Sequence, residues 1–240
     1  MSRRYRHFNV RDAGGFVLLD AKRIEGIGEG VGINRWNNWA NFGLNATQSA
    51  VGAFKPTYRS RVQGGQAVAR FDGIRQFMTI SGSIVDNQPF VVTIAAQNNN
   101  IATSKVPTLY FDGIDTGSRV YVNTQISASD ITIGMFAGTG SGIAGVSASR
   151  SDGNPFMILS YVVSGSNSTL SRNGYLWQTG TVGIAGLPRG MTICGDPTGS
   201  HLFWGDLAYI SVAQKLNQST QNRVEQSVAF SYKLLNYGNP

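Results

Sequence analysis

The sequence is poor in the residues that most often do chemistry: one cysteine, three glutamates and two histidines. The lone Cys194 excludes an internal disulfide framework and a cysteine zinc site. Within "GMTICGDP" it reads as a small buried apolar residue on a strand. Glu25 and Glu29 fall in a glycine-rich stretch and Glu225 in a helical one. No candidate strand carries two acids at alternate positions, whereas a sandwich glycosidase needs two carboxylates projecting into one cleft. His7 and His201 lie far apart with no ligand cluster nearby, and no Ser sits in a Gly-x-Ser-x-Gly elbow. No catalytic residue, metal ligand or cofactor is therefore assigned, and the chain is expected not to be an enzyme.

Long apolar runs are also missing. No stretch reaches the ~18 residues that a membrane helix needs. Residues 1–16 begin basic but lack the apolar run of a signal peptide, so synthesis and folding in a cytoplasm are expected. Charged residues make up only 14% of the chain, so much of the surface must be polar and neutral.

Glycine is abundant, at 30 residues. With many Ser, Thr and Asn it marks numerous turns, the pattern of a β-rich protein with short strands. Strand candidates follow one another through "GGFVLLDAKRI", "QAVARFDGIRQFMTI", "PFVVTIAAQ", "VPTLYFDGIDTGSRVYVNT", "DITIGMFAG", "PFMILSYVVSG", "GYLWQTG", "MTICG" and "HLFWGDLAYISVAQ". The first should turn Phe16 and Leu18 inward, with Leu19 a further candidate. "GIGEGVG" is too glycine-rich for anything but a loop, and Trp36 and Trp39 are core candidates. Near the end Val224, Val228 and Tyr232 recur at four-residue spacing, giving a short amphipathic helix with Asn217 as N-cap and Gly238 beyond its end.

The tetrapeptide Phe-Asp-Gly-Ile occurs twice, at Phe71–Ile74 and Phe111–Ile114. A repeat array needs at least three units to bury a continuous core, and no third copy is present. Asp-Gly supplies the backbone dihedrals of a tight primed turn, so Asp72-Gly73 is expected to close a β-hairpin. Asp112 and Asp115 could contribute to a shallow calcium loop, but turn capping explains these aspartates as well, and calcium stays unsupported. The Gly140, Gly142 and Gly145 pattern formally matches a dinucleotide fingerprint, but more β-like sequence follows where a helix is required.

The net charge of +7 is unevenly placed. Residues 1–75 hold 12 Lys/Arg against 5 Asp/Glu, while residues 76–240 hold 8 of each. Arg3, Arg4, Arg6 and Arg11 come before any acid, and arginine favours forked contacts to carboxylates or phosphates. Residues 1–13 thus read as a solvated basic tail or as an anchoring arm for an acidic partner. No recognition module accompanies the arm, so specific nucleic-acid binding is not expected.

The order of these pieces resembles the laminin-G-like domains of the concanavalin A-like lectin/glucanase superfamily, of bacterial and phage type. The resemblance rests on "VLLDAKRI", then "VGINRWNNWANFGLNATQ", "KPTY", "GGQAVARFDGIRQFMTI" and "PFVVTIAAQ". It continues through "SRNGYLWQTG", "MTICGD" and "FWGDLAYISV" to the closing "LNQSTQNRVEQSVAFSYKLLNYG". It implies an all-β fold: a two-sheet antiparallel jelly-roll sandwich over residues 14–240 with one short C-terminal helix. Where such relatives often carry acids, this chain has Asn37, Asn38 and Tyr209, which weakens inherited calcium or carboxylate chemistry.

The expected function is a non-catalytic structural or attachment module, a virion component such as a phage head decoration or fibre-associated protein, oligomeric within its assembly. Arg3, Arg4, Arg6, Arg11, Arg59, Arg61 and Arg75 are its candidate contacts to an acidic capsid or other virion protein. The alternative is a lectin-like module for host-surface polysaccharide with Trp177 as the stacking residue, and a polysaccharide-active enzyme ranks third.

Overall fold

The computed structural model describes residues 15–41, 43–48, 52–99, 108–114, 118–126, 131–139, 144–150, 156–214, 217–234 and 237. Two antiparallel sheets face each other. Sheet one runs β14 (Tyr175–Gly180), β13 (Ser168–Arg172), β12 (Met157–Val163), β7 (Phe90–Asn98), β16 (Trp204–Gln214), β5 (Gln66–Asp72) and β4 (Thr57–Gln63). A further strand, β1 (Gly15–Asp20), also pairs with β16. Sheet two runs β11 (Ala144–Arg150), β10 (Ile131–Thr139), β9 (Ser118–Ile126), β8 (Thr108–Gly113), β15 (Gly190–Ile193), β6 (Met78–Ser81), β3 (Ala46–Thr47) and β2 (Arg35–Trp36). The fold is a jelly-roll sandwich with one short C-terminal helix, α1 (Gln218–Ser231).

The main core lies between the sheets. Phe90, Val92, Ile94 and Ala96 of β7 face it, with Met78 and Ile80 of β6 and Val120 and Val122 of β9 opposite. Aromatic contacts join the layers: Phe203 meets Phe71 at 6.4 Å and Tyr110 at 4.9 Å between ring centroids. The intervening residues of β7, Val91 and Ala95, belong to a second cluster on the outer face of sheet one, beneath α1. A strand covered on both faces reads as an unbroken apolar run, which is why "PFVVTIAAQ" shows no alternation.

That second cluster corrects the expected direction of Leu18. Val17 and Leu19 enter the main core, while Leu18 packs on the helix side with Val224, Val228 and Tyr232. Phe16 still reaches the main core because the pairing with β16 shifts register between Gly15 and Val17. The α1 cap is as the sequence suggests, with Asn217 Oδ1 accepting the Thr220 N–H at 2.9 Å. Burying Val224 and Val228 stabilises the docked helix by roughly 1.5–3 kcal/mol each.

Asp72-Gly73 does not close a hairpin. The hairpin of this region is β4–β5, turned at Gly64-Gly65, whereas β5 and β6 belong to different sheets. Asp72 Oδ1 accepts the backbone N–H groups of Ile74, Arg75 and Gln76 at 2.9, 3.1 and 3.2 Å, and this bundle of bonds carries the chain from one sheet to the other. Gly73 has φ +69°, and a Cβ there would lie 2.6 Å from Trp204 Cβ, so only glycine fits. The second Phe-Asp-Gly-Ile behaves differently: it ends β8, which does form a hairpin pair with β9.

The glycine-rich stretch is a loop, as expected, and it covers the β4 edge. Gly30 N–H donates to Tyr58 O at 2.9 Å and Tyr58 N–H to Val31 O at 2.9 Å. Asn38 is buried and joins its loop to β1, its Oδ1 accepting Leu18 N–H at 2.9 Å and its Nδ2 donating to Phe16 O at 3.0 Å. Its amide thus does a structural task that uses both donor and acceptor, which a carboxylate could not. Cys194 is buried in the core, one residue beyond β15, with φ +62°. Among the described residues no helix is long and apolar enough to cross a membrane.

Candidate functional site

Arg3, Arg4, Arg6, Arg11 and Asp115 lie outside the described residues. Arg59 and Arg61 sit on the edge strand β4. Arg59 Nη1 donates to Glu29 Oε1 at 3.2 Å, and Ser60 Oγ donates to Glu29 Oε2 at 2.8 Å. These bonds, with that from the Ser60 N–H foremost, hold the exposed Glu29 carboxyl below its usual range. Arg61 is exposed with φ +56°. Arg75 belongs to the crossover at the far end of β5, 3.8 Å from Asp72 Oδ2. A bulged, arginine-bearing edge strand also discourages edge-to-edge pairing with another chain.

Trp177 lies on β14, the outermost strand of sheet one, and is the extra residue where the β13 pairing skips from Gln178 to Leu176. Its ring packs against the main core with the Arg172 guanidinium 5.7 Å from its centroid. Trp36 is enclosed in the core, and half-buried Trp39 sits under Arg23 at 5.0 Å. Trp204, at the head of β16, is 45% exposed beside Ile74 at 77%.

The outer face of sheet two gathers residues that the sequence scatters. On β9 Val120 and Val122 point into the core, so Arg119, Tyr121 and Asn123 point outward. On β10 the inward residues are Ile133, Met135 and Ala137, leaving Thr132, Gly134, Phe136 and Gly138 outward. Register aligns Phe136 with Tyr121, Tyr121 with Asp112, Asp112 with Thr192, and Thr192 with Thr79. One row of side chains thus crosses five strands.

Within this row the Arg119 guanidinium grips the Asp112 carboxylate through both Nε and Nη2. The same guanidinium lies 5.0 Å from the Tyr121 ring centroid. Tyr121 in turn stacks on Phe136, with centroids 4.9 Å apart and planes within 14°. Gly134 is what lets Phe136 lie there: a Cβ on it would stand 2.5 Å from Phe136 Cε2 and 3.1 Å from Asn123 Oδ1. Asp112 is fully buried while the Arg119 side chain keeps 27% of its surface exposed. Burial pushes the Asp112 carboxyl up even with Arg119 bonded to it, and the hydrogen bonds that Arg119 donates to Asp112 push the guanidinium up in turn. The forked geometry is that of an ionised pair.

The loop after β15 supplies a second acid close enough to act on this pair electrostatically. Asp196 accepts the Ser200 N–H at 2.7 Å, the Thr198 N–H at 3.1 Å and the Thr198 hydroxyl at 3.0 Å, and it pairs with His201 Nδ1 at 2.8 Å. Burial works to raise this carboxyl, but the bonds from His201, Ser200 and Thr198 outweigh it and hold it low. Thr192 Oγ1, buried beside Asp112 in the register, has no hydrogen-bond partner among the described residues. No group of three metal-ligating side chains occurs among the described residues.

Sequence reasoning did not find this face. In the sequence Asp112 reads as a turn residue or a contributor to a shallow calcium loop, and Arg119, Tyr121 and Phe136 carry no motif. The available signal was weak: outward aromatics and glycines alternating with core residues in "SRVYVNT" and "ITIGMFAG".

No family model and no characterised protein sequence matches the chain. Solved structures do match over most of its length. Domain 4 of AbnA, a GH43 extracellular arabinanase from Geobacillus stearothermophilus solved with arabinotriose, is 12% identical, with 89% of this chain and 99% of that one aligned at a TM-score of 0.58. The botulinum neurotoxin serotype D binding domain is 12% identical over 91% of this chain and 51% of its own length, at 0.62. A Trypanosoma rangeli sialidase solved with the inhibitor DANA is 11% identical over 88% of this chain and 32% of its own, at 0.53. The chain thus spans about half of the toxin domain and a third of the sialidase. At these identities the likeness is one of fold, a two-sheet jelly-roll sandwich.

Proposed function

We propose that this chain is a glycan-binding module whose sugar platform is the outer face of sheet two. The observation that carries the reading is the continuous stack Arg119–Tyr121–Phe136, seated on buried Asp112 and flanked by Asn123 and Thr132. Sugars present apolar C–H faces to aromatic rings and hydroxyls to polar side chains, and this row offers both at strand spacing. Support comes also from structural neighbours that include an arabinanase domain solved with arabinotriose and a toxin binding domain solved with SialylT. Trp177 is the competing platform, partly exposed at the edge of sheet one. Glycan-array and calorimetric binding should fall at least ~10-fold in Tyr121→Ala and Phe136→Ala, a loss of about 1.4 kcal/mol. Loss in Trp177→Ala with both of those variants unaffected would move the site to β14.

The charge gathered in residues 1–75 favours an attachment role alongside sugar binding. In this reading residues 14–240 are a laminin-G-like sandwich and residues 1–13 a basic arm that docks the module on an acidic protein surface, as in a virion assembly. Docking of this kind weakens with salt. Unchanged assembly after deletion of residues 2–11 would remove the arm from the account.

A further inference from the structure

We infer that the platform selects neutral glycans and turns away acidic ones, because the guanidinium in its aromatic stack is already held by a buried acid. This rests on the glycan-binding reading above and names the chemical class of the ligand. Strands β6, β8, β9, β10 and β15 together contain a single basic residue, Arg119, and a single acid, Asp112. The edge strands β2 and β11 add Arg35 and Arg150, in register with Thr47 and Ile131 and not with Tyr121 or Phe136. Among the described residues, the group that acts on this pair from outside the strands is Asp196, itself bonded by His201, Thr198 and Ser200.

Among the described residues around the stack, two carboxylates therefore stand against one guanidinium, although the whole chain carries +7. A sialic or uronic acid carboxylate could gain Arg119 only by displacing Asp112, which would leave a fully buried carboxylate without its partner. A neutral sugar meets no such conflict. It stacks on Tyr121 and Phe136 and bonds the outward amide and hydroxyls without disturbing the pair. Because no net charge is exchanged, its binding should be nearly independent of salt.

The test sets neutral oligosaccharides (arabino-, xylo- and gluco-oligosaccharides) against acidic ones (sialyllactose and oligogalacturonate), with the intact protein, at low and high sodium chloride. The expected result is binding of at least one neutral ligand, with affinity changing less than about twofold across the salt series, and acidic ligands at least ~10-fold weaker. The isosteric Asp112→Asn variant should release Arg119 and raise affinity for the acidic ligands at least ~10-fold, now falling steeply with salt. Asp112→Asn combined with Arg119→Gln should lose that gain. The wild-type comparison decides the matter even if the variants fold poorly. Preference for acidic ligands with steep salt dependence would overturn the inference and leave the glycan-binding reading intact. Binding of neither class would overturn that reading, and this inference with it.

Discussion

The Tyr232 hydroxyl, just beyond the C-terminal helix, donates to Asp20 Oδ1 at the end of the first strand at 2.7 Å, and lies 2.8 Å from the Ala208 carbonyl oxygen. The two residues are 212 positions apart, and both are buried. Asp20 also takes Lys22 Nζ at 3.4 Å and Arg23 Nε at 3.7 Å, so the contact ties β1, its following turn and α1 into one polar knot. Tyr232→Phe keeps the ring packing and removes the donor. It should destabilise the fold by about 1–3 kcal/mol, as a buried carboxylate loses a short hydrogen bond. Urea denaturation checks this, and an unchanged midpoint would show that the lysine and arginine suffice.

Glu225 lies on the buried face of α1, where burial pushes its carboxyl above the ordinary range despite hydrogen bonds from Ser160, Gln221 and Tyr237. The folded chain therefore holds this proton at a pH where the unfolded chain has released it. Stability should fall as pH rises from the ordinary carboxyl value through the raised one. Glu225→Gln should flatten that slope and be at least as stable as wild type at neutral pH. Denaturation curves from about pH 4 to about pH 8 bracket the window; parallel slopes in the two proteins would contradict the assignment.

Gly134→Ala places a methyl group into the Phe136 ring, 2.5 Å from Cε2. Phe136 must leave its stack on Tyr121, at a cost of about 1–3 kcal/mol for an overfilled site. The same variant should weaken sugar binding without touching a charge. Thermal unfolding and the ring signals in NMR spectra report the two effects separately, and an undisturbed Tyr121–Phe136 contact would refute the prediction.

Thr192→Val replaces a buried hydroxyl that has no partner among the described residues with a methyl of the same shape. Removing an unsatisfied polar atom should leave stability unchanged or raise it by up to about 1 kcal/mol. A loss larger than that would reveal a partner for the hydroxyl.

The class of fold is legible along the chain, because local chemistry writes it plainly. Glycine and Asp-Gly turns separate short apolar runs, Asn217 caps the one helix, and Val224, Val228 and Tyr232 mark its buried stripe. Only the tertiary structure decided what those pieces do together. The hydrogen bonds that Asp72 makes to the next residues suit a hairpin or a passage between sheets equally well; the choice depends on where β6 finds partners, in β15 and β3. Leu18 faces outward because α1, two hundred residues later, covers that side of the sheet. The platform is the clearest case. Asp112, Arg119, Tyr121 and Phe136 form no motif along the chain, and they meet only because strand pairing sets them side by side at a spacing of about 5 Å. Pairing of this kind is non-local, fixed by the burial of both sheets at once, and no window of sequence contains it.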